Sequence, residues 1–131
     1  MRAFIIIVLL CSGLSLLGFG AAIAYAPLEV MAMADVNSSG AAAAVELRAF
    51  YGGLELALGA LILICAWYPH RRRDGLWLTV FIFTGIGVAR AFGMYWESVQ
   101  TDFLRLALLV EFATAGAAAL ALVLSRNPSR R

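Results

Sequence analysis

The segment AFIIIVLLCSGLSLLGFGAAIAYA, residues 3–26, contains no charged side chain and is long enough to cross a bilayer as a helix. Three further apolar segments of similar length follow, at residues 47–68, 75–96 and 103–124. At a rise of about 1.5 Å per residue, each can cover a hydrocarbon core of about 30 Å. The sequence therefore predicts four membrane-spanning helices, which together use most of the chain.

The composition of the 131-residue chain agrees with this prediction, because 63% of its residues are hydrophobic, whereas about half are in a soluble domain. Transmembrane β-strands would be about ten residues long and would alternate in polarity. The segments here are longer and apolar on every side. We therefore predict an all-α, four-helix transmembrane bundle in which residues 1–131 form a single integral membrane domain.

Charged residues at the ends of the spans predict an orientation. The N-terminus, the connection between the second and third spans and the C-terminal tail are basic. They contain Arg2, Arg71, Arg72, Arg73, Arg126, Arg130 and Arg131. The connection between the first two spans contains Glu29 and Asp35, and the connection between the last two contains Glu97 and Asp102. By the positive-inside rule, we expect both termini to be cytoplasmic and the loop of residues 27–46 to lie on the outer face.

The loop of residues 27–46 permits two interpretations. Leu28, Val30, Met31 and Met33 fit a short amphipathic segment that lies on the outer surface or caps the bundle. The stretch 37–40, NSSG, would then break the chain before the second span. The alternative is an ordinary linker, and the sequence leaves both open.

Few residues are suited to metal binding or nucleophilic catalysis. Cys11 and Cys65 lie in different spans, and the one histidine, His70, is on the predicted cytoplasmic side. Soft metal sites need several such ligands at short spacing, so we predict no metal and no cofactor. Phosphate and dinucleotide motifs are absent. The arginine run 71–73 is typical of contact with anionic lipid head groups, and we expect no nucleic acid as a partner.

Three spans each contain one ionisable residue far from their ends, namely Glu55, Arg90 and Glu111. Charges inside a membrane are costly and are usually paired. Counting inward from the predicted outer ends places all three about 9 to 13 Å deep in one leaflet. Arg48 and Tyr51 lie on the same helical stripe as Glu55, at i, i+3 and i+7. We therefore predict a buried cluster of these five residues.

The charges of this cluster do not balance. Two carboxylates and one deep arginine leave one negative charge, unless Arg48 reaches inward or one glutamate holds a proton. A fully paired cluster would be structural and would specify which helices pack together. A glutamate without a partner would instead hold a ligand or take part in proton or ion coupling. The sequence alone leaves these roles open.

The segment ELRAFYGGLE, residues 46–55, resembles the signature of a family of small bacterial four-helix membrane proteins, domain of unknown function 4345. The resemblance extends over nearly the whole chain. In that family an arginine closes a Gly-Arg pair on the third helix and a glutamate occurs in the fourth; Arg90 and Glu111 match them, with Ala89 in place of the glycine. The resemblance implies a fold and no reaction. The matched positions are Arg48, Tyr51, Gly52, Gly53, Arg90 and Glu111.

The layout of that family is similar to that of the DoxX-like membrane proteins, some of which are accessory subunits. That layout alone implies no function. From the buried cluster, we expect a non-enzymatic protein of the bacterial inner (cytoplasmic) membrane that binds a lipid, a small amphipathic molecule or a partner subunit. Arg90 would be the electrostatic anchor, with Glu55 and Glu111 as its partners and Tyr51 as a hydrogen-bonding neighbour. A homo-oligomer is a further expectation. The alternatives are a membrane enzyme acting on a quinone-like or sterol-like substrate, and a proton-coupled or ion-coupled carrier.

Overall fold

The computed structural model describes residues 1–125, which are almost entirely helical and contain no β-strand. The helices are α1 (Arg2–Tyr25), α2 (Pro27–Met33), α3 (Ala41–Trp67), α4 (Arg72–Trp96) and α5 (Asp102–Ser125). All except α2 are long and apolar enough to cross a membrane. The predicted four-helix transmembrane fold is therefore confirmed. Three of the arginines used to predict its orientation, Arg126, Arg130 and Arg131, lie outside the described residues.

The connection between the first two spans contains more helix than the sequence predicted. It begins with α2, which has Pro27 at its start, where a proline needs no hydrogen-bond donor. Met31 of this helix is buried against the bundle. The following helix, α3, begins at Ala41 instead of residue 47, because the alanine run after Gly40 favours helix. Gly40 itself has a φ of 93°, which ends the loop before this helix.

Helices α1 and α3 approach each other closely at glycines. A Cβ added at Gly59 would lie 2.7 Å from the carbonyl oxygen of Gly13 and 2.8 Å from the backbone nitrogen of Leu17. Nearer the other end of the pair, a Cβ at Gly20 would lie 2.8 Å from the backbone nitrogen of Leu56. Small residues at such positions allow two membrane helices to bring their backbones together. The two helices therefore form one tightly packed pair.

The second pair consists of α4 and α5, and the two pairs pack together through contacts of α4 with α3 and α1. The apolar core lies in the half of the bundle that contains the start of α1 and the end of α5. Its most buried side chains include Leu9, Ile62, Leu76 and Ala118. The opposite half, next to α2, is less completely filled.

Substitution of Gly59 should test the close approach of α1 and α3. We expect Gly59→Ala to destabilise the bundle by about 1 to 3 kcal/mol, because the added methyl group meets backbone atoms that cannot move independently. Gly116 in α5 has no neighbouring atom within 4 Å of an added Cβ. The matched variant Gly116→Ala should therefore change the stability by no more than about 0.5 kcal/mol. Thermal unfolding in detergent measures both, and equal effects would contradict this packing.

Candidate functional site

A π-helical turn interrupts α3 at Arg48–Gly53, where the backbone N–H of Leu54 donates to the carbonyl of Ala49. Such a turn accommodates one more residue than an α-helical turn. Residues before it are therefore rotated by about 100° from the positions they would have in a continuous α-helix. This rotation moves Arg48 off the stripe that the i, i+3, i+7 spacing predicted for it.

Arg48 is directed towards α1 instead of the bundle interior. Its Nε donates a hydrogen bond of 3.1 Å to the carbonyl oxygen of Ala24, and its side chain is exposed. The last carbonyls of a helix lack partners within that helix, so this contact satisfies one of them and ties α3 to the end of α1. Within the described residues no ion pair joins Arg48 to Glu55 or Glu111.

Arg90 of α4 and Glu111 of α5 form a two-pronged ion pair. The Nε of Arg90 donates to Oε1 and Oε2 of Glu111 at 2.9 and 3.1 Å, and its Nη2 donates to Oε1 at 2.6 Å. The exposed fractions of the two side chains are 27% and 9%. Gly87 lies beside Glu111, since a Cβ added there would be 3.5 Å from the Cβ of Glu111. The pair joins α4 to α5 in the half of the bundle next to α2.

Glu55 lies apart from this ion pair. Its Oε2 is buried and has no hydrogen-bond partner among residues 1–125. No salt bridge of 4.0 Å or less joins it to Arg90 in that range. A buried polar atom without a partner costs about 1 to 3 kcal/mol, and more when it is charged. The buried oxygen of Glu55 is therefore energetically unfavourable as it stands, and its missing partner requires an explanation.

A partly open cleft of about 730 Å³ lies beside Glu55, between the α1–α3 pair and the α4–α5 pair. Its volume is within the range of pockets that hold small molecules. Its polar side chains are Glu55, Arg90 and Tyr51, the last of which is 46% exposed. The rest of its lining is apolar, apart from the backbone, and consists of Leu16, Phe19, Met31, Ala34, Val36, Phe50, Leu54, Leu58, Ile82, Gly85, Ile86, Ala89, Phe103 and Leu104.

The structure thus brings three of the five predicted site residues, Tyr51, Glu55 and Arg90, to one cleft, and places Glu111 behind Arg90. The sequence did not reveal the cleft itself. Its lining includes Met31 of α2 and Phe103 at the start of α5, which are far apart in the chain and have no distinctive motif. The apolar residues of α2 were the available signal, because an amphipathic helix at the end of a bundle needs a surface to cover.

The polar side chains that the cleft offers for chemistry are those of Tyr51, Glu55 and Arg90. No set of three His, Cys, Asp or Glu side chains in residues 1–125 is arranged to hold a metal ion. The hydroxyl groups of Ser12, Ser15 and Thr79 donate to backbone carbonyls of their own helices. They are therefore engaged in helix structure and do not form nucleophile–base pairs.

Removal of Arg90 should destabilise the protein by about 3 to 5 kcal/mol, because it leaves the buried carboxylate of Glu111 without its partner. We expect the double variant Arg90→Met, Glu111→Leu to recover most of the stability that Arg90→Ala loses, since both charges are then gone. Arg71→Ala, at an exposed position, is the control and should have little effect. Thermal unfolding in detergent compares the three, and equal losses for Arg90→Ala and Arg71→Ala would refute a buried ion pair.

Comparison with known proteins gives a family and no activity. The family model described as Domain of unknown function (DUF4345) matches residues 4–122. No curated protein and no solved structure matches the chain significantly. The matched range contains all four long helices apart from their outermost residues, and it includes Glu55, Arg90 and Glu111. The chain therefore belongs to the DUF4345 family, as the segment at residues 46–55 predicted.

Proposed function

We propose that this protein is a non-enzymatic membrane protein that binds a small amphipathic molecule in the cleft between its two helix pairs. One observation supports this most directly. The cleft of about 730 Å³ is mostly apolar, and its few polar groups include the unpartnered carboxylate of Glu55. An apolar pocket with a few polar groups at one place is the usual form of a small-molecule site.

The polar groups would determine the affinity of such a site. A molecule that enters from the bilayer exchanges lipid tails for apolar side chains, and this exchange has little hydrophobic driving force. A hydrogen bond or ion pair from the ligand to Glu55 contributes more to the affinity, because the ligand-free protein leaves a buried polar atom unsatisfied. Glu55 would therefore select the head group, while the apolar walls accommodate the remainder of the ligand.

Arg90 would support the site without reacting. Three hydrogen bonds to Glu111 hold its guanidinium in one orientation at the wall of the cleft. A catalytic role would require a second group positioned to exchange a proton or attack a substrate, and the hydroxyls described above are bonded to their own helices. These observations favour a binding role over the membrane enzyme.

We also propose that the protein lies in the bacterial inner membrane with both termini in the cytoplasm. Arg2 and the arginines of residues 71–73 occur at one end of the antiparallel helices, whereas Glu29 and Glu97 occur at the other. The positive-inside rule places the arginines in the cytoplasm. The cleft, which adjoins α2, would then lie in the outer half of the membrane.

Reporter fusions test this orientation. Green fluorescent protein fused after the last residue should fluoresce in bacterial cells, because it folds in the cytoplasm. Alkaline phosphatase inserted in the loop at Asn37 should be active, because it needs the oxidising periplasm. The reverse pattern, with a non-fluorescent protein at the C-terminus and an inactive phosphatase at Asn37, would contradict the proposed orientation.

Native mass spectrometry of the protein, extracted gently from its membrane, tests the binding function. We expect the wild-type protein to carry a specific small molecule and Gly85→Phe to lose it. Gly85 lines the cleft, and a Cβ added there meets open space, so a phenyl ring can enter the volume that the ligand would use.

The matched control is Gly116→Phe. Gly116 is also exposed near the middle of a span and has open space around an added Cβ, but it does not line the cleft. This variant should retain the bound molecule. A wild-type protein that is empty, or that carries only a stable partner protein, would contradict the proposal and favour an accessory or purely structural role. Equal retention by both variants would place the ligand elsewhere.

A further inference from the structure

We infer that the ligand of the cleft is a cation, an amphipathic amine whose ammonium group pairs with Glu55. This inference rests on the proposed binding function and adds the chemical class of the head group. Three independent features support it: the charge left over inside the bundle, the charges at the end of the bundle next to the cleft and the aromatic side chains in its lining.

The charge left over inside the bundle belongs to Glu55. Arg90 directs three hydrogen bonds to Glu111, so these two charges neutralise each other. Glu55 has no arginine of its own within ion-pair distance in the described range, and its Oε2 accepts no hydrogen bond there. A buried carboxylate is stable only when it is paired or protonated. An ammonium group supplies both a positive charge and up to three hydrogen-bond donors.

An anionic head group fits this site poorly. The guanidinium of Arg90 lines the cleft, but its charge is balanced by Glu111 on its other side. An anion in the cleft would therefore meet the carboxylate of Glu55 without an uncompensated positive charge nearby. Like charges at short distance in a low-dielectric environment repel strongly.

The end of the bundle next to the cleft is acidic. Five exposed acidic residues occur at the end of the bundle that contains α2, namely Glu29, Asp35, Glu46, Glu97 and Asp102. The arginines at this end are Arg48, which donates to the carbonyl of Ala24, and Arg105, which donates to Gln100 and lies 4.0 Å from Asp102. Five acidic residues against two arginines leave an excess of negative charge at this end. An excess of one sign of charge around a cleft raises the local concentration of ligands of the opposite sign. The acidic end of the bundle would therefore attract cations to the side of the protein on which the cleft lies.

Aromatic side chains form part of the wall. Phe19, Phe50, Tyr51 and Phe103 come from three different helices and line the same cleft. The face of an aromatic ring attracts a cation, and the attraction is strongest where water is excluded. These rings can therefore contact an ammonium group or the carbon atoms next to it, whereas they offer a carboxylate no comparable interaction.

Three probes that share one ring system test the inference: 1-naphthylmethylamine, 1-naphthalenemethanol and 1-naphthoic acid. Equilibrium dialysis measures their binding to the protein in lipid nanodiscs, and empty nanodiscs of the same lipid correct for partition into the bilayer. We expect the amine to bind saturably, about tenfold or more tightly than the alcohol. The acid should bind no better to the protein than to empty nanodiscs.

Variants test whether the carboxylate of Glu55 causes the preference for the amine. Glu55→Gln removes the charge and keeps the shape of the side chain, so it should weaken binding of the amine about tenfold or more and leave the alcohol nearly unchanged. Glu97→Gln removes an exposed charge from the acidic end of the bundle, outside the lining of the cleft, and should change binding of the amine less than about threefold. Gly85→Phe should abolish binding of both. Thermal unfolding of each variant verifies that it is folded.

The possible results separate this inference from the proposed function. If the amine and the alcohol bind equally, and Glu55→Gln changes neither, then the cleft binds amphipathic molecules without selecting cations, and only the inference fails. Preferential binding of the acid would also overturn it. If no probe binds saturably, the inference fails as well, and the mass spectra of wild type and Gly85→Phe decide the proposed function separately.

Discussion

The rest of the structure depends on the close approach of α1 and α3. Gly13, Gly20, Gly52 and Gly59 bring the two backbones so near that an added Cβ at any of them would lie 3.1 Å or less from an atom of the other helix. This contact fixes which face of α3 is turned away from α1 and therefore which residues can face α4. Because lipid tails solvate apolar side chains as well as a protein core does, such shape complementarity replaces the hydrophobic effect as the source of specificity between the helices. The position of Glu55 follows from it.

The two halves of the bundle are held together in different ways. In the half with the basic loops, Ala115, Ala118 and Ala121 let α5 pack against a continuous apolar core. In the other half the cleft separates the helix pairs, and the ion pair between Arg90 and Glu111 holds α4 to α5. A two-pronged arginine–carboxylate pair fixes both distance and orientation. The bundle can therefore keep an open volume in one half without losing the register of its helices.

Much of this fold follows from the sequence, and the exceptions have physical causes. The four spans are evident from long apolar segments, and the pairing of Arg90 with Glu111 could be expected because each is a costly charge at a similar depth. A continuous α-helical period predicts Arg48 on the stripe of Tyr51 and Glu55. The π-turn at Arg48–Gly53 breaks that period, and no residue type signals it reliably. The cleft was not evident either, since its lining residues come from all five helices and acquire their relation only through packing.

The imbalance of charge, however, was already present in the sequence, which contains two glutamates and one arginine deep within the spans. With Arg48 bonded to Ala24, the structure leaves no additional arginine among these residues to correct it. Of the two glutamates, Glu111 has the geometry of a fully satisfied partner, whereas Glu55 has a buried oxygen with none. A protein selected only for stability gains nothing from such a group, because an apolar residue of similar size would avoid its desolvation. Its occurrence at the wall of an apolar cleft is therefore better explained by a molecule that supplies the missing partner than by packing alone.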